Sequence, residues 1–225
     1  MPIDRENGTL FIHVPRTGGT KIEQSLNMTF GGDDTRVMKH KLFGYAPLGE
    51  KKIELQHLTY KQMIKSKLLT QKEFNRCFKF AFVRNPYDKL VSTYFFVGHK
   101  YFHSFGNFVR FLYAKGGEPD KSPSRSAKTK DFKWFLGHAL FRPQHEFVCN
   151  RNGRLMVDFL GKFENYLKDS SYVLSVLGVT SEKRDPIYKV NATSHSYYRA
   201  YYDEETRNMA KSIYKKDFEI FGYNK

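Results

Sequence analysis

Two short apolar runs in this chain each stop at a proline or a charge and are followed by apolar positions at helical spacing. The first, Leu10-Phe11-Ile12-His13-Val14, stops at Pro15, and behind it Ile22, Leu26 and Phe30 recur every four residues. The second, Phe78-Lys79-Phe80-Ala81-Phe82-Val83, runs up to Arg84, after which Leu90, Val91, Tyr94 and Phe95 form one apolar face. Strand then helix, twice, predicts a parallel α/β sheet. Lys52-Ile53-Glu54-Leu55 reads as a short strand, and 59–68 and 70–76 as short helices. Phe105, Phe108, Phe111 and Leu112 share a helical spacing and are assigned to the core rather than to a sugar-stacking platform. Further on, Val157-Asp158-Phe159-Leu160 reads as a strand, 165–177 as a helix ending at Gly178, and 203–216 as a last helix.

Residues 116–131, GGEPDKSPSRSAKTKD, contain no large apolar side chain and read as an exposed, mobile basic loop. At 225 residues the loop interrupts one domain, 1–225, rather than dividing two, since domains run to about 100–200 residues. Hydrophobic residues make up 40% and charged residues 27%, enough for a core and contrary to wholesale disorder. The net charge of +15 adds a field that attracts anions: nucleic acid, phosphorylated or sulfated ligands, acidic polysaccharide or acidic lipid. Two cysteines, Cys77 and Cys149, are too few for a disulfide scaffold and wrongly spaced for zinc, and leave a single bridge between them open. No apolar stretch has the length of a signal peptide or membrane span, so the chain reads as soluble, and its cysteine usage fits the reducing cytoplasm.

The two strand-to-helix junctions carry the candidate chemistry. Pro15-Arg16-Thr17-Gly18-Gly19-Thr20 lets backbone N–H groups approach an anion at a helix N-terminus. It has the spacing of neither a nucleoside-triphosphatase loop nor a dinucleotide fingerprint, and a glycine turn that merely packs helix against strand would look similar. In Val83-Arg84-Asn85-Pro86-Tyr87-Asp88, Asn85 is a helix N-cap, Pro86 the first helical residue and Asp88 an acid in the first turn. Arg84 therefore stands at a sharply defined junction. Ser92, two helical turns on, offers a hydroxyl beside its fork, a combination suited to phosphate.

Together, FIHVPRTGGTKIEQSL and FAFVRNPYDKLVSTY resemble the two nucleotide-binding segments of sulfotransferases that use 3′-phosphoadenosine 5′-phosphosulfate (PAPS). The likeness is greatest to the carbohydrate branch that includes the heparan 2-O and chondroitin enzymes. Arg142-Pro143-Gln144, Val157 through Asn165, and the segments from Tyr201 and from Asp217 agree in the same order. The resemblance implies a P-loop-like central parallel sheet flanked by helices. It gives Arg16, Thr17, Gly18, Gly19 and Thr20 to the 5′-phosphosulfate, Arg84 and Ser92 to the 3′-phosphate, and Thr193 and Ser194 to a loop that closes over the nucleotide. Arg16 stands where the family usually has Lys, so the cation is kept, while its planar fork either alters or impairs donation in the transition state. A Golgi luminal domain trimmed of its anchor would have the same sequence features as a cytoplasmic chain.

Sulfuryl transfer calls for a base on the acceptor, a cation on the departing phosphate and fixed donors around the sulfonate, and for no metal. No HExxH pattern, Cys/His cluster or acidic metal loop is written in the sequence. His57, at the end of the strand candidate 53–56, is the expected base, and its surroundings resemble the segment carrying a catalytic His in the uronyl 2-O branch, with Leu55 where that branch has a second His. Glu23 and His195 stand in reserve, and His13 reads as a hydrogen-bonded core residue. Lys121, Arg125, Lys128 and Lys130 are a solvated stretch or a grip on an anionic acceptor. The expected acceptor is a carbohydrate hydroxyl, with tyrosine or a small molecule as alternatives. Outside catalysis, a basic nucleotide- or nucleic-acid-binding protein is the alternative, but no recognition helix, RNA-binding motif or zinc finger accompanies the charge.

Overall fold

The first apolar run is a strand because every one of its residues is buried. β2 (Thr9–Ile12) lies between β1 (Ile3–Asp4), which runs antiparallel to it, and β5 (Phe78–Val83), which runs parallel and sets Phe11 opposite Phe80. β6 (Phe159–Lys162) adds a second parallel pairing, giving a four-stranded, mostly parallel sheet in the order β1-β2-β5-β6. The computed structural model describes residues 3–26, 45–48, 51–65, 67–114, 139–179 and 195–223, so the expected basic loop 116–131 lies outside the described residues. The chain divides into two compact units: residues 1–83 with 144–191, and residues 84–143 with 192–225.

In the first unit, α1 (Gly19–Ser25) follows β2, and α7 (Tyr166–Val176) follows β6. Phe11, Ile22, Phe80, Phe82 and Val173 form one buried cluster, with the Phe11 and Phe80 rings stacked at 4.9 Å. Burying each such side chain contributes about 1.5–3 kcal/mol. The same unit holds the short helices α2 (Tyr60–Lys65), α3 (Gln71–Arg76) and α6 (His145–Val148). Thr70 and Glu73 cap α3 reciprocally, each side chain accepting from the other's backbone N–H. Cys77 and Cys149 are both buried, and no disulfide joins them.

Three expectations about element boundaries are corrected. The strand near residue 53 is β4 (Lys51–Glu54), which pairs antiparallel with β3 (Tyr45–Leu48) in a separate hairpin, so Leu55 and Gln56 lie beyond it. β6 starts at Phe159 rather than Val157, because the Asp158 carboxylate accepts from both the Lys79 backbone N–H and Lys79 Nζ, at 2.8 Å each, where a ladder bond would otherwise form. The last helix is two, α8 (Glu204–Ile213) and α9 (Lys215–Phe221), broken at Tyr214. Tyr214 leaves helical geometry with its hydroxyl donating to the Phe141 carbonyl at 3.2 Å.

The second unit is helical in its described part. α4 (Pro86–Phe96) begins as expected: the Asn85 side chain accepts from the Tyr87 N–H at 3.0 Å and Pro86 takes the first position. α5 (Phe105–Tyr113) buries Phe105, Phe108 and Leu112, with Phe111 partly covered, in a cluster with Leu90, Val91, Tyr94, Ala210 and Phe218. Arg110 on α5 reaches Glu205 on α8 at 2.5 Å. Among the described residues no helix is long and apolar enough to cross a membrane.

Candidate functional site

The turn after β2 owes its shape to two left-handed residues. Arg16 has φ 65° and Gly18 φ 84°, a conformation that costs glycine nothing and that arginine rarely adopts. Left-handed residues in such a turn help successive N–H groups converge on one side, a concavity suited to an anion. The Thr17 hydroxyl is buried and donates to the Val14 carbonyl at 2.8 Å, pinning the turn from within. Tyr166 at the start of α7 closes it from above, its hydroxyl donating to the Gly18 carbonyl at 2.8 Å. Burial pushes the Tyr166 phenol well above its ordinary pKa, so it remains a neutral donor.

Both glycines are required by what lies over them. A Cβ at Gly18 would meet the Tyr166 ring at 2.6 Å, and one at Gly19 the His13 ring at 2.3 Å. His13 is 4% exposed, and its Nδ1–H donates to Glu23 at 2.6 Å. The other oxygen of Glu23 accepts from Gln56 Nε2 at 2.8 Å. With 1% exposure and both oxygens engaged, Glu23 is the anchor of His13, not a solvent-facing acid of the helix terminus. His57 is drawn into the same cluster: its Nδ1–H donates to the His13 carbonyl at 3.0 Å, and the two imidazoles meet edge to face at 4.5 Å. Donation from Nδ1 makes Nε2 the lone-pair nitrogen of the neutral ring, the tautomer a base requires.

Arg16, Thr17, Gly18, Gly19, Thr20 and His57 thus fall in the first unit. Arg84 and Ser92 fall in the second. Arg84 is 8% exposed, and its Nε donates to Asp88 one helical turn on at 2.8 Å; Ser92 is 1% exposed. Thr193 and Ser194 lie outside the described residues. His195 stacks on Phe95 at 5.4 Å, with Nδ1 bonded to the Ser196 carbonyl. Sequence reasoning missed Tyr166, Gln56 and Lys89. Lys89 is buried on α4, donates to the Leu140 carbonyl at 2.9 Å and lies 5.7 Å from the Tyr214 ring centre. A lysine in the Asn-Pro helix gave no local sign of burial, and the partner of Tyr166 is 148 residues away.

A mostly parallel sheet whose second strand feeds a left-handed, glycine-bearing turn, with a tethered imidazole beside it, defines an α/β protein with a glycine turn at a strand-to-helix junction. The chain belongs to the sulfotransferase family, whose sequence profile matches residues 1–224. It is also similar to carbohydrate sulfotransferase 11 of Mus musculus, with 26% identity over 164 residues covering 65% of this chain and 47% of the relative. The chain therefore spans about half the length of that curated relative. No solved structure matches it.

Proposed function

We propose that this protein transfers a sulfonate group from PAPS to an acceptor hydroxyl on a carbohydrate, and that residues 1–225 make up one sulfotransferase domain. The observation that carries the reading is the tether of His57 to the carbonyl of His13, three residues before Arg16, in the same compact unit as the glycine turn. Family membership and the similarity to a protein named as a carbohydrate sulfotransferase support the reaction and the acceptor class.

In this reading His57 Nε2 takes the proton of the acceptor hydroxyl, and the His13 carbonyl keeps the ring in the accepting tautomer. The donor supplies an activated sulfonate on a phosphate leaving group. Backbone N–H groups of Thr17 to Thr20 hold that phosphate, and the Arg16 guanidinium neutralises the charge it gains in the transition state. Arg84 and Ser92, in the second unit, take the 3′-phosphate, and Thr193 and Ser194 contact the nucleotide. Calorimetric titration with 3′-phosphoadenosine 5′-phosphate (PAP) and with adenosine 5′-phosphate tests the donor. PAP binds more tightly and raises the melting temperature; equal affinities refute the roles of Arg84 and Ser92. A labelled-sulfonate screen over acidic and neutral glycans, tyrosine peptides and phenols tests the acceptor, and transfer to peptides or phenols alone refutes the carbohydrate.

A further inference from the structure

The second unit carries a cavity that none of the proposed transfer chemistry uses. Asn85, Tyr87, Tyr198, Arg199, Tyr202, Arg207 and Tyr223 line about 460 Å³ of empty space, including its open mouth. Tyr87 and Tyr202 hold its wall together. The Tyr202 hydroxyl donates to the Tyr87 carbonyl at 2.9 Å, and the two rings meet edge to face at 5.1 Å. Tyr198 lies nearly parallel to Tyr87, with ring centres 6.4 Å apart. Both arginines are exposed at the rim, and each is held by an aromatic face: Arg207 over Tyr87 and Arg199 over Tyr197, both at 5.8 Å.

Three acids of this unit already have other arginines. Asp88 pairs with Arg84 at 2.8 Å, and Arg110 takes Glu205 at 2.5 Å and Asp203 at 3.7 Å. Among the described residues neither Arg199 nor Arg207 has a carboxylate partner. Two guanidinium forks, each set against an aromatic ring and neither in a salt bridge among the described residues, therefore line a tyrosine-walled recess. Guanidinium forks match carboxylate and sulfate oxygens, while tyrosine rings and hydroxyls suit the C–H faces and hydroxyls of a sugar.

We infer that this pocket binds one anionic sugar residue, carboxylated or sulfated, of an acidic saccharide chain. The choice of a sugar over another anion rests on the proposed carbohydrate acceptor, and the pocket shares no lining residue with the glycine turn or with His57. The +15 net charge of the chain steers such a polyanion toward the protein, and the pocket gives it a fixed register.

The test is calorimetric titration, without donor, of a short sulfated, uronate-containing oligosaccharide into the wild-type chain, Arg199→Ala, Arg207→Ala and Arg207→Lys. Each alanine variant loses about ten- to a hundredfold in oligosaccharide affinity, the range for one charge-assisted hydrogen-bonding group, and Arg207→Lys loses less because it keeps the charge without the fork. PAP affinity is unchanged in all three, and their melting temperatures report that they fold. Wild-type affinity in both alanine variants overturns the proposal, as does a wild-type chain that does not bind the oligosaccharide. Displacement of the oligosaccharide by PAP would give the pocket to the donor and also overturn it. Tighter, equally arginine-dependent binding of a single-stranded oligonucleotide would make it a phosphate site and overturn the assignment to a sugar. PAP binding retained alongside any of these failures leaves the donor reading standing, whereas failure of the wild type to bind PAP refutes that reading alone.

Discussion

Gly19→Ala is the substitution whose sign separates the geometry of the turn from ordinary helix propensity. Gly19 opens α1 without a positive φ, so the backbone accepts alanine, and propensity by itself favours the change by up to about 1 kcal/mol. The added Cβ would lie 2.3 Å from His13 Cδ2 and Nε2. The ring has little room to yield, being bonded to Glu23 at 2.6 Å, stacked on Phe11 at 5.3 Å and met edge-on by His57 at 4.5 Å. Overpacking of a fixed site costs about 1–3 kcal/mol, and a clash this close belongs at the upper end, leaving a net loss of about 2 kcal/mol after the propensity gain. Urea unfolding followed by circular dichroism reads this as a lower midpoint at unchanged slope. PAP affinity should fall with it, since the turn must shift to admit the methyl group. In a His13→Ala background the obstruction is gone and Gly19→Ala becomes neutral or stabilising, a coupling of about 2–3 kcal/mol where independent sites would agree within about 0.5 kcal/mol. A Gly19→Ala midpoint equal to or above wild type would refute the packing of His13 on the turn and the anchoring of His57 that depends on it.

Arg16→Ala should lower turnover far more than donor affinity, because its cation acts on charge that develops in the transition state, while Arg16→Lys should retain substantial activity; loss of affinity with unchanged kcat would assign Arg16 to ground-state binding. His57→Ala and His57→Gln should each lose about 100- to 10,000-fold in kcat with PAP binding intact, and the rise of the wild-type rate with pH through the histidine range should vanish in both; near-wild-type turnover of His57→Ala on a verified acceptor would refute the base. The α3 cap sets a pH signature. Donation from the Thr70 backbone N–H, then from its hydroxyl, holds the Glu73 carboxyl below its ordinary range, with Arg5 adding to the effect. A lowered folded value means that the contribution is complete above the unfolded glutamate pKa of about 4.3 and is lost as pH falls through the lower folded value. The urea midpoint of wild type minus that of Glu73→Gln should therefore be constant near neutrality and shrink on acidification; a gap that widens with acid would contradict the cap.

What the sequence determined by itself was local. Gly18 and Gly19 open a turn, Asn85-Pro86 starts a helix, and Phe105, Phe108 and Leu112 share one face; each is decided by residues near one another in the chain and each stands in the structure, whereas the first strand stops at Ile12, short of Pro15. Periodicity also sorted strands from helices, because side-chain period depends only on backbone geometry. Only the tertiary structure decided that β4 pairs in its own hairpin, since a strand's partner is set by which surfaces must be buried together, not by its own pattern. It also decided how His57 is held. Position at a strand end was the reason for choosing it, yet the strand stops at Glu54, and the residue is tethered instead to a carbonyl 44 positions earlier. The glycines likewise signalled a turn, but that they must be glycine because Tyr166 and His13 lie on them became legible only when the fold brought those rings within 3 Å of a missing methyl group. A hydrogen bond or a steric contact across 148 residues leaves no periodic trace in sequence; it exists because packing the sheet and its helices fixes both partners at once.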